Sequence, residues 1–211
     1  SIDSAIIAAY RLAGKEVIVE REVVHVTHID DQAQTGLKLF DVIFSVEGES
    51  ISSMDDLRNI IAKHQEGDTI SMTVLRDNEE ITVDSTVYLL DGVPKVGISI
   101  TITYEYEESP KAVIETKSSE SGPSGGLMMS LAIYNALMEE DITGGKRIIG
   151  TGTIDTEGNV GEIGGVRYKL IGAVHENADA FLVPVGNYDE AVEVAEEKGY
   201  DIPIISVSSL S

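Results

Sequence analysis

The sequence predicts an α+β protein made of two successive units. Segments with strand-like alternation of apolar residues are interspersed with short amphipathic helices, a mixture typical of this class. The turn residues 91–94 (Asp-Gly-Val-Pro) separate an early group of strands from a later, glycine-rich half. The chain has 211 residues, enough for one large or two small domains, and 42% hydrophobic residues, enough for a core. We therefore expect a helix and connection over 1–16, one unit over 17–92 and another over 93–211.

A helix is predicted from Ser1 to Ala13, where apolar residues recur at helical spacing and Gly14 is a suitable stop. The residues of its apolar face are Ile2, Ala5, Ile6, Ala9 and Leu12. Alternating apolar residues then predict strands over 17–29 and 36–46.

A short helix follows these strands. Ser52 or Ser53 can cap it, and its inner face carries Leu57, Ile60 and Ile61. The segments 70–75 and 81–89 are strand-like and flank Asp77-Asn78, a pair that suits the tight turn of a hairpin.

The second unit opens with a long alternating strand over 96–106, followed by a shorter predicted strand over 112–116. A glycine-rich stretch then leads into a helix whose apolar residues are Leu127, Leu131, Tyr134 and Leu137. Another helix is predicted over 166–177, after Gly164-Gly165.

Charge excludes two classes of partner. With 15 basic and 37 acidic residues, the formal net charge is −22, whereas phosphate backbones and anionic membrane surfaces require clustered Lys and Arg. Residues 1–110 include 8 basic and 21 acidic residues, and residues 111–211 include 7 basic and 16 acidic residues. The acidity is therefore a general solvated surface and not a tail.

Composition also limits the chemistry. Cysteine is absent, which excludes disulfides, thiol catalysis and Cys-ligated zinc, and the four His residues lack metal-ligand spacing. No run reaches the roughly 18 apolar residues that a membrane span needs. The chain begins at Ser1 and shows no signal peptide, so we expect a fragment or a processed form.

Ser124 is the first candidate for chemistry. The stretch Gly122-Pro123-Ser124-Gly125-Gly126 lies between a predicted strand and a predicted helix. Free N–H groups and the positive end of the helix dipole favour an anion there, and the oxyanion of acyl transfer is one. The alternative is that Ser124 is an ordinary helix N-cap in a loop of small residues.

The pattern Gly-x-Ser-x-Gly also fits the nucleophile elbow of α/β-hydrolases. That mechanism needs a His after the serine, and His175 is the one His that follows Ser124. It shares a predicted helix with Lys169 and no strand-end loop presents it, which disfavours the triad.

Lys169 is the alternative base. It lies among the apolar positions of the 166–177 helix, and loss of solvation there would favour the neutral amine, which can accept a serine proton. The positions of the apolar stripe are Val166, Lys169, Leu170, Ala173 and Val174. The alternative is that Lys169 lies at the edge of the stripe and extends to water.

The first unit resembles a PDZ domain, on the strength of 36–43 (Gly-Leu-Lys-Leu-Phe-Asp-Val-Ile), 46–48 (Val-Glu-Gly) and the helix over 55–62. This resemblance implies peptide binding as an added strand, with backbone N–H groups holding a terminal carboxylate. Phe40 occupies a position at which PDZ domains often have Gly. The carboxylate-binding loop is expected near 20–23 (Glu-Arg-Glu-Val), whose two acids would repel a terminal carboxylate. A packed spacer is the alternative role.

The second unit resembles the proteolytic domain of Lon-type serine–lysine peptidases over residues 96–211. The motifs that carry this resemblance occur in order: Gly122-Pro123-Ser124, Leu131-Ala132-Ile133-Tyr134, Gly150-Thr151-Gly152-Thr153-Ile154, Gly158-Asn159-Val160, Ile163-Gly164-Gly165-Val166, Lys169 and Phe181-Leu182-Val183-Pro184. With the PDZ-like unit, the chain resembles the PDZ-containing, Lon-like proteases of the YlbL type. The implied fold is a PDZ-like β-sandwich or barrel with short helices, followed by a Lon-protease-like α/β domain.

The resemblance implies Ser124 as nucleophile, Lys169 as general base and Thr151 as a residue that supports the lysine. Backbone groups of Gly122, Pro123 and Gly125 are expected to surround the oxyanion. Two positions depart from Lon proper, which usually has Ala at Gly125 and an acid at Ser121.

The implied activity is that of an ATP-independent serine endopeptidase acting on proteins or peptides, without metal or other cofactor. The chain has no Gly-x-x-x-x-Gly-Lys-Ser/Thr loop for ATP. The resemblance further implies a possible homo-oligomer and an N-terminal membrane anchor on the extracytoplasmic face of a bacterial membrane. The competing hypothesis is a catalytically inactive PDZ scaffold on a Lon-like fold.

Overall fold

The computed structural model describes residues 1–114 and 122–211. They form two compact units, one of residues 19–106 and the other of residues 1–18 with 107–211. We call the first the sheet unit and the second the helical unit. Helices and sheets are mixed along the chain, so the predicted α+β class is confirmed.

The sheet unit is built on a six-stranded sheet. The strands of this part of the chain are β1 (Glu16–Ile29), β2 (Val42–Val46), β3 (Glu49–Ser50), β4 (Thr69–Arg76), β5 (Glu79–Thr86), β6 (Tyr88–Leu90), β7 (Val93–Lys95) and β8 (Ile98–Ser109). The sheet has the order β5-β4-β2-β1-β8, and β3 pairs with β2. Strands β6 and β7 form a separate antiparallel hairpin.

The predicted hairpin around Asp77-Asn78 is confirmed. Strands β4 and β5 pair antiparallel up to Arg76 and Glu79, which leaves a two-residue turn. Asp77 and Asn78 have φ values of 53° and 67°, the left-handed conformation that such a turn requires and that Asp and Asn tolerate.

Helix α2 (Met54–Ile61) covers the core of the sheet unit. Of the two predicted caps, Ser53 is the one that begins the helix, where its hydroxyl accepts the N–H of Asp56. The predicted inner face is buried as expected. It packs in a cluster with apolar residues of β1, β2 and β4: Val24, Val26, Ile43, Val46, Ile70, Met72 and Val74.

The helical unit contains the remaining helices and a parallel sheet. Its elements are α1 (Ile2–Leu12), α3 (Gly126–Leu137), β9 (Ile148–Gly150), β10 (Thr153–Ile154), β11 (Val160–Gly161), α4 (Val166–His175), β12 (Ala180–Pro184), α5 (Tyr188–Lys198) and β13 (Ile204–Val207). Three strands form a parallel sheet in the order β13-β12-β9, and β10 pairs with β11. The predicted strand over 112–116 is wrong for residues 112–114, which are irregular, and residues 115–116 lie outside the described residues.

The predicted N-terminal helix is confirmed as α1, and it is an integral part of the helical unit. Residues 4–10 are all buried, and α1 packs against α3. The Tyr10 hydroxyl donates a hydrogen bond to the carbonyl of Pro110, and Arg11 donates one to the carbonyl of Thr156. Helix α1 therefore ties together chain segments on both sides of Ser124.

The predicted strand over 36–46 is wrong for residues 36–41, because a buried ion pair organises them as a turn. Asp41 is 1% exposed and accepts two hydrogen bonds from the Arg76 guanidinium, at 2.8 and 2.7 Å, and one from the Lys38 N–H. Burial alone would raise the pKa of Asp41, but these hydrogen bonds outweigh it and hold the pKa below its ordinary value. Phe40, beside it, has a φ of 71°.

We expect Asp41→Asn to lower the free energy of unfolding of the sheet unit by roughly 3 kcal/mol, because it leaves Arg76 without its charge partner. The depressed pKa also predicts that this contribution is complete above the ordinary aspartate pKa of about 3.9 and is lost as the pH falls through the folded value. Urea denaturation at pH 7 and at lower pH measures both effects.

The control is Glu49→Gln, which removes an exposed ion pair with Lys63 and should cost no more than about 1 kcal/mol. Equal stability of the two variants at pH 7 would show that the Asp41 pair does not organise this turn.

Candidate active site

Ser124 is the middle residue of a 3-10 turn, Pro123–Gly125, that runs directly into α3. Proline suits the first position of such a turn because its fixed φ is already helical. Gly122 and Gly125 are the cap residues of the turn and the helix, and no side chain caps either. The Ser124 hydroxyl is therefore not an N-cap, which removes the alternative role that its position suggested.

The backbone of Ser124 is clamped to the end of β9. Its carbonyl accepts hydrogen bonds from the Thr151 hydroxyl (3.1 Å) and from the Gly152 N–H (2.9 Å). The N–H of Leu127 in turn donates to the carbonyl of Gly152, at 3.0 Å. Three hydrogen bonds thus fix the position from which Ser124 projects.

The Thr151 hydroxyl donates its proton to the carbonyl of Ser124. The support of Lys169 that the resemblance implies for Thr151 stays a prediction, because a hydroxyl that donates one hydrogen bond can still accept another. Thr151 is 1% exposed, and its N–H donates to Leu182 of β12. Its observed contact therefore holds the backbone of the candidate nucleophile.

Lys169 is exposed, and the prediction that it lies within the buried stripe of its helix is wrong. The fully buried residues of α4 are Val166, Leu170 and Ala173. At about 100° per residue, Lys169 lies some 60° or more from the centre of this narrow stripe. It therefore lies at the edge of the stripe, which was the alternative that the sequence left open.

Ser124, Thr151 and Lys169 nevertheless line one cavity of about 710 Å³. Its other lining residues are small or apolar: Val113, Ile114, Gly122, Gly125, Met128, Met129, Ala132, Ile133, Ala136 and Gly150. Within the described residues, no hydrogen bond joins the side chains of Ser124 and Lys169. Catalytic hydrogen bonds often tighten only when substrate is bound, so this geometry is compatible with a dyad.

The α/β-hydrolase alternative is not supported. His175, at the end of α4, has an 86% exposed side chain and lies 3.9 Å from the carboxylate of Glu176. It does not line the cavity that contains Ser124.

Of the predicted oxyanion residues, Gly122 and Gly125 line the cavity. The N–H of Gly125 donates to the carbonyl of Gly122 inside the turn, and Pro123 has no N–H to donate. The oxyanion role of this turn stays a prediction.

Asn187 was missed by the sequence analysis. Its buried side-chain amide accepts the N–H of Ile163 and donates to the carbonyl of the same residue. These bonds hold the chain just before Gly165, whose φ of 75° begins α4. A lone Asn ahead of a helix gives no periodic signal, so only the tertiary contact reveals that it helps to position the helix of Lys169.

The sheet unit contains a second cavity, of about 630 Å³, between α2 and the segment from β6 to β8. The predicted carboxylate-binding segment, 20–23, does not line it. Instead, Glu22 is engaged at the start of α2, where its carboxylate accepts the N–H of Met54 and its own N–H donates to Ser52.

Two family models match the chain. The model described as the Lon protease (S16) C-terminal proteolytic domain matches residues 94–211. The chain belongs to the Lon proteolytic-domain family. The model of the PDZ domain matches residues 12–87, so the earlier part of the chain is a PDZ domain. The resemblance to PDZ-containing, Lon-like peptidases is thereby confirmed.

Individual relatives are distant. The Lon protease of Helicobacter pylori (strain J99) is 27% identical over 139 residues, which cover 65% of this chain and 16% of that protein. The Lon protease of Campylobacter concisus is 30% identical over 138 residues, which cover 65% of this chain and 17% of that protein. The match thus spans about a sixth of the length of these relatives. Among solved structures, the PDZ domain of an SdrC-like protein from Listeria monocytogenes is 21% identical, with 36% of this chain and 85% of that chain covered and a TM-score of 0.34.

Residues 1–114 and 122–211 show neither a membrane-spanning helix nor a metal centre. No helix there combines the length and the apolar character needed to cross a bilayer. The same residues contain no cluster of three or more His, Asp or Glu side chains placed to hold a metal ion.

The contact between α3 and β10 provides a test of how tightly Ser124 is positioned. A Cβ added to Gly126 would lie 2.8 Å from Ile154 Cγ2 and 3.0 Å from the Ile154 backbone nitrogen. We expect Gly126→Ala to cost about 1–3 kcal/mol of unfolding free energy, because the start of α3 must move away from β10.

Gly122→Ala is the matched control, since an added Cβ there meets nothing within 4 Å. Thermal melting should show the difference. If both variants melt at the same temperature, the turn is not packed as tightly as the structure indicates.

Proposed function

We propose that the chain is a serine endopeptidase with Ser124 as nucleophile and Lys169 as general base, and that it works without ATP. The observation that carries this proposal is that both side chains line one cavity, beside a turn whose backbone is clamped to β9. Membership of the Lon proteolytic-domain family supports peptide hydrolysis as the reaction class.

In the proposed mechanism, the neutral amine of Lys169 takes the proton of the Ser124 hydroxyl as the oxygen attacks a peptide carbonyl. The oxyanion forms beside the turn before α3, where the helix dipole favours negative charge. Lys169 then protonates the leaving amine, and water releases the acyl group from Ser124.

The 211 residues contain no Gly-x-x-x-x-Gly-Lys-Ser/Thr loop for ATP, so in this proposal either the substrates are already accessible or their unfolding is driven from elsewhere. The membrane anchor, the extracytoplasmic location and a homo-oligomer are further parts of the proposal, and the sequence resemblance alone supports them.

A catalytically inactive scaffold is the second candidate. It is favoured by the exposure of Lys169 and by the lack of a hydrogen bond from its amine to Ser124 in the described residues. An inactive scaffold and a peptidase differ in one measurable property, the turnover of an unfolded protein.

We expect Ser124→Ala and Lys169→Met each to reduce cleavage of fluorescein-labelled casein, without ATP, on the order of a thousandfold or more. One variant removes the nucleophile, and the other removes the base but keeps most of the side-chain stem. Labelling of Ser124 by a fluorophosphonate should be lost in the first and strongly slowed in the second.

The matched controls are Ser206→Ala and Lys146→Met, which change exposed residues outside the cavity and should keep full activity. Turnover retained by purified Lys169→Met would remove Lys169 as the base. No turnover by the unsubstituted chain would favour the scaffold.

We further propose that the PDZ domain recruits protein substrates through the cavity beside α2. The lining of this cavity is largely apolar, and β8, which forms part of it, is the last of the described strands in the sheet order. An edge strand beside an apolar groove is the arrangement that accepts an extended peptide.

Leu90 lines this cavity and is 48% exposed, so it can be replaced without opening the core. We expect Leu90→Asp to raise the KM for casein about tenfold, because an acid replaces an apolar contact worth about 1–2 kcal/mol. Cleavage of a short fluorogenic peptide should not change. Leu39→Asp is the control, at a similarly exposed leucine outside the cavity. An equal effect of both variants would argue against recruitment at this cavity.

A further inference from the structure

Helix α3 carries apolar residues on two of its sides, and among the described residues one of these sides packs against α1. Met129 and Ile133 lie against Ala5 and Ala8 of α1, and Leu127 is fully buried. On another side lie Met128, Ala132 and Ala136, which line the cavity of Ser124. A surface helix of a globular domain normally turns polar residues away from its core, so this apolar row requires an explanation.

The row runs along the helix away from Ser124 as a ridge of residues spaced by four, inclined by about 26° to the helix axis. Ser124, Met128, Ala132 and Ala136 are four residues apart, so each lies about one turn further along. At about 1.5 Å per residue, the row from Met128 to Ala136 is about 12 Å long. An extended peptide advances about 3.3 Å per residue, so about four residues would lie along this length.

The composition of the row indicates which side chains it accepts. Ala132 and Ala136 are exposed and small, which leaves room above them, and Met128 is flexible enough to fit varied shapes. Among the described residues that line the cavity, Lys169 is the one with a charged side chain, although the chain has a net charge of −22. Apolar side chains match this wall, whereas a charged one would lose solvation against it and meet no charge on Met128, Ala132 or Ala136.

We propose that the row Met128, Ala132 and Ala136 is the track on which one side of the substrate lies, as an extended peptide with apolar side chains. The track accepts about four residues on one side of the scissile bond. This inference rests on the proposed function, because it takes Ser124 as the nucleophile. It adds two statements to that function. The substrate class is extended apolar segments, and Ala136, at the far end of the track, makes the rate of cleavage depend on substrate length.

The test uses Ala136→Phe and two series of fluorogenic peptides with the same scissile bond. One series is lengthened by leucines on the amino side of that bond, and the other on the carboxyl side. In the unsubstituted chain, kcat/KM should rise with length in one series. Ala136→Phe should remove this gain, about tenfold for the longest peptide, and leave the shortest peptide unchanged.

Two further arms keep the test specific. Replacing the far leucine of the longest peptide by Glu should remove the gain in the unsubstituted chain. Met138→Phe places a similar ring on an exposed residue just beyond α3, outside the cavity, and should leave both series unchanged. If Ala136→Phe melts at a lower temperature, the smaller change Ala136→Met is used.

The outcomes separate this inference from the proposed function. Cleavage that survives Ser124→Ala would overturn the nucleophile and the track together. The track is wrong, and Ser124 stands as the nucleophile, if cleavage requires Ser124 but Ala136→Phe does not act on the long peptides of one series alone. That holds if the variant affects short and long peptides equally, affects neither, or acts in both series.

Discussion

The clamp on the Ser124 carbonyl is the constraint on which the rest of the site depends. The Thr151 hydroxyl and the Gly152 N–H hold this carbonyl, and the Leu127 N–H returns a hydrogen bond to Gly152. Because the bonds run in both directions, the start of α3 and the end of β9 are positioned by one network. The cavity lies beside this junction, so its shape depends on the same three bonds.

The clamp is supported from two sides of the helical unit. Thr151 is anchored to β12 through the Leu182 carbonyl, and Gly126 has no room for a side chain against Ile154 of β10. Helix α1 packs along α3, and its Tyr10 and Arg11 hold the carbonyls of Pro110 and Thr156. A helix that precedes the PDZ domain in sequence is thus a structural part of the unit that contains Ser124.

Lys169 is positioned by different means. Its helix begins at Gly165, which adopts a left-handed conformation, after a segment that Asn187 holds by two hydrogen bonds. The buried stripe of α4 packs against β12 and α5, and Lys169 lies at its edge, in the lining of the cavity. The edge position thus places Lys169 in the lining of the same cavity as Ser124.

Local patterns determined much of this protein from the sequence alone. Apolar periodicity predicted α1, α2 and α4, the Asp77-Asn78 pair predicted its hairpin, and ordered motifs pointed to Ser124 and Lys169. Contacts distant in sequence decided the rest, because no local pattern encodes them. Arg76 pairs with Asp41 and turns a predicted strand into a turn, Thr151 binds the Ser124 carbonyl, and a narrow buried stripe leaves Lys169 exposed. Local propensity sets which elements form, whereas side-chain hydrogen bonds and burial in the assembled unit set which groups meet.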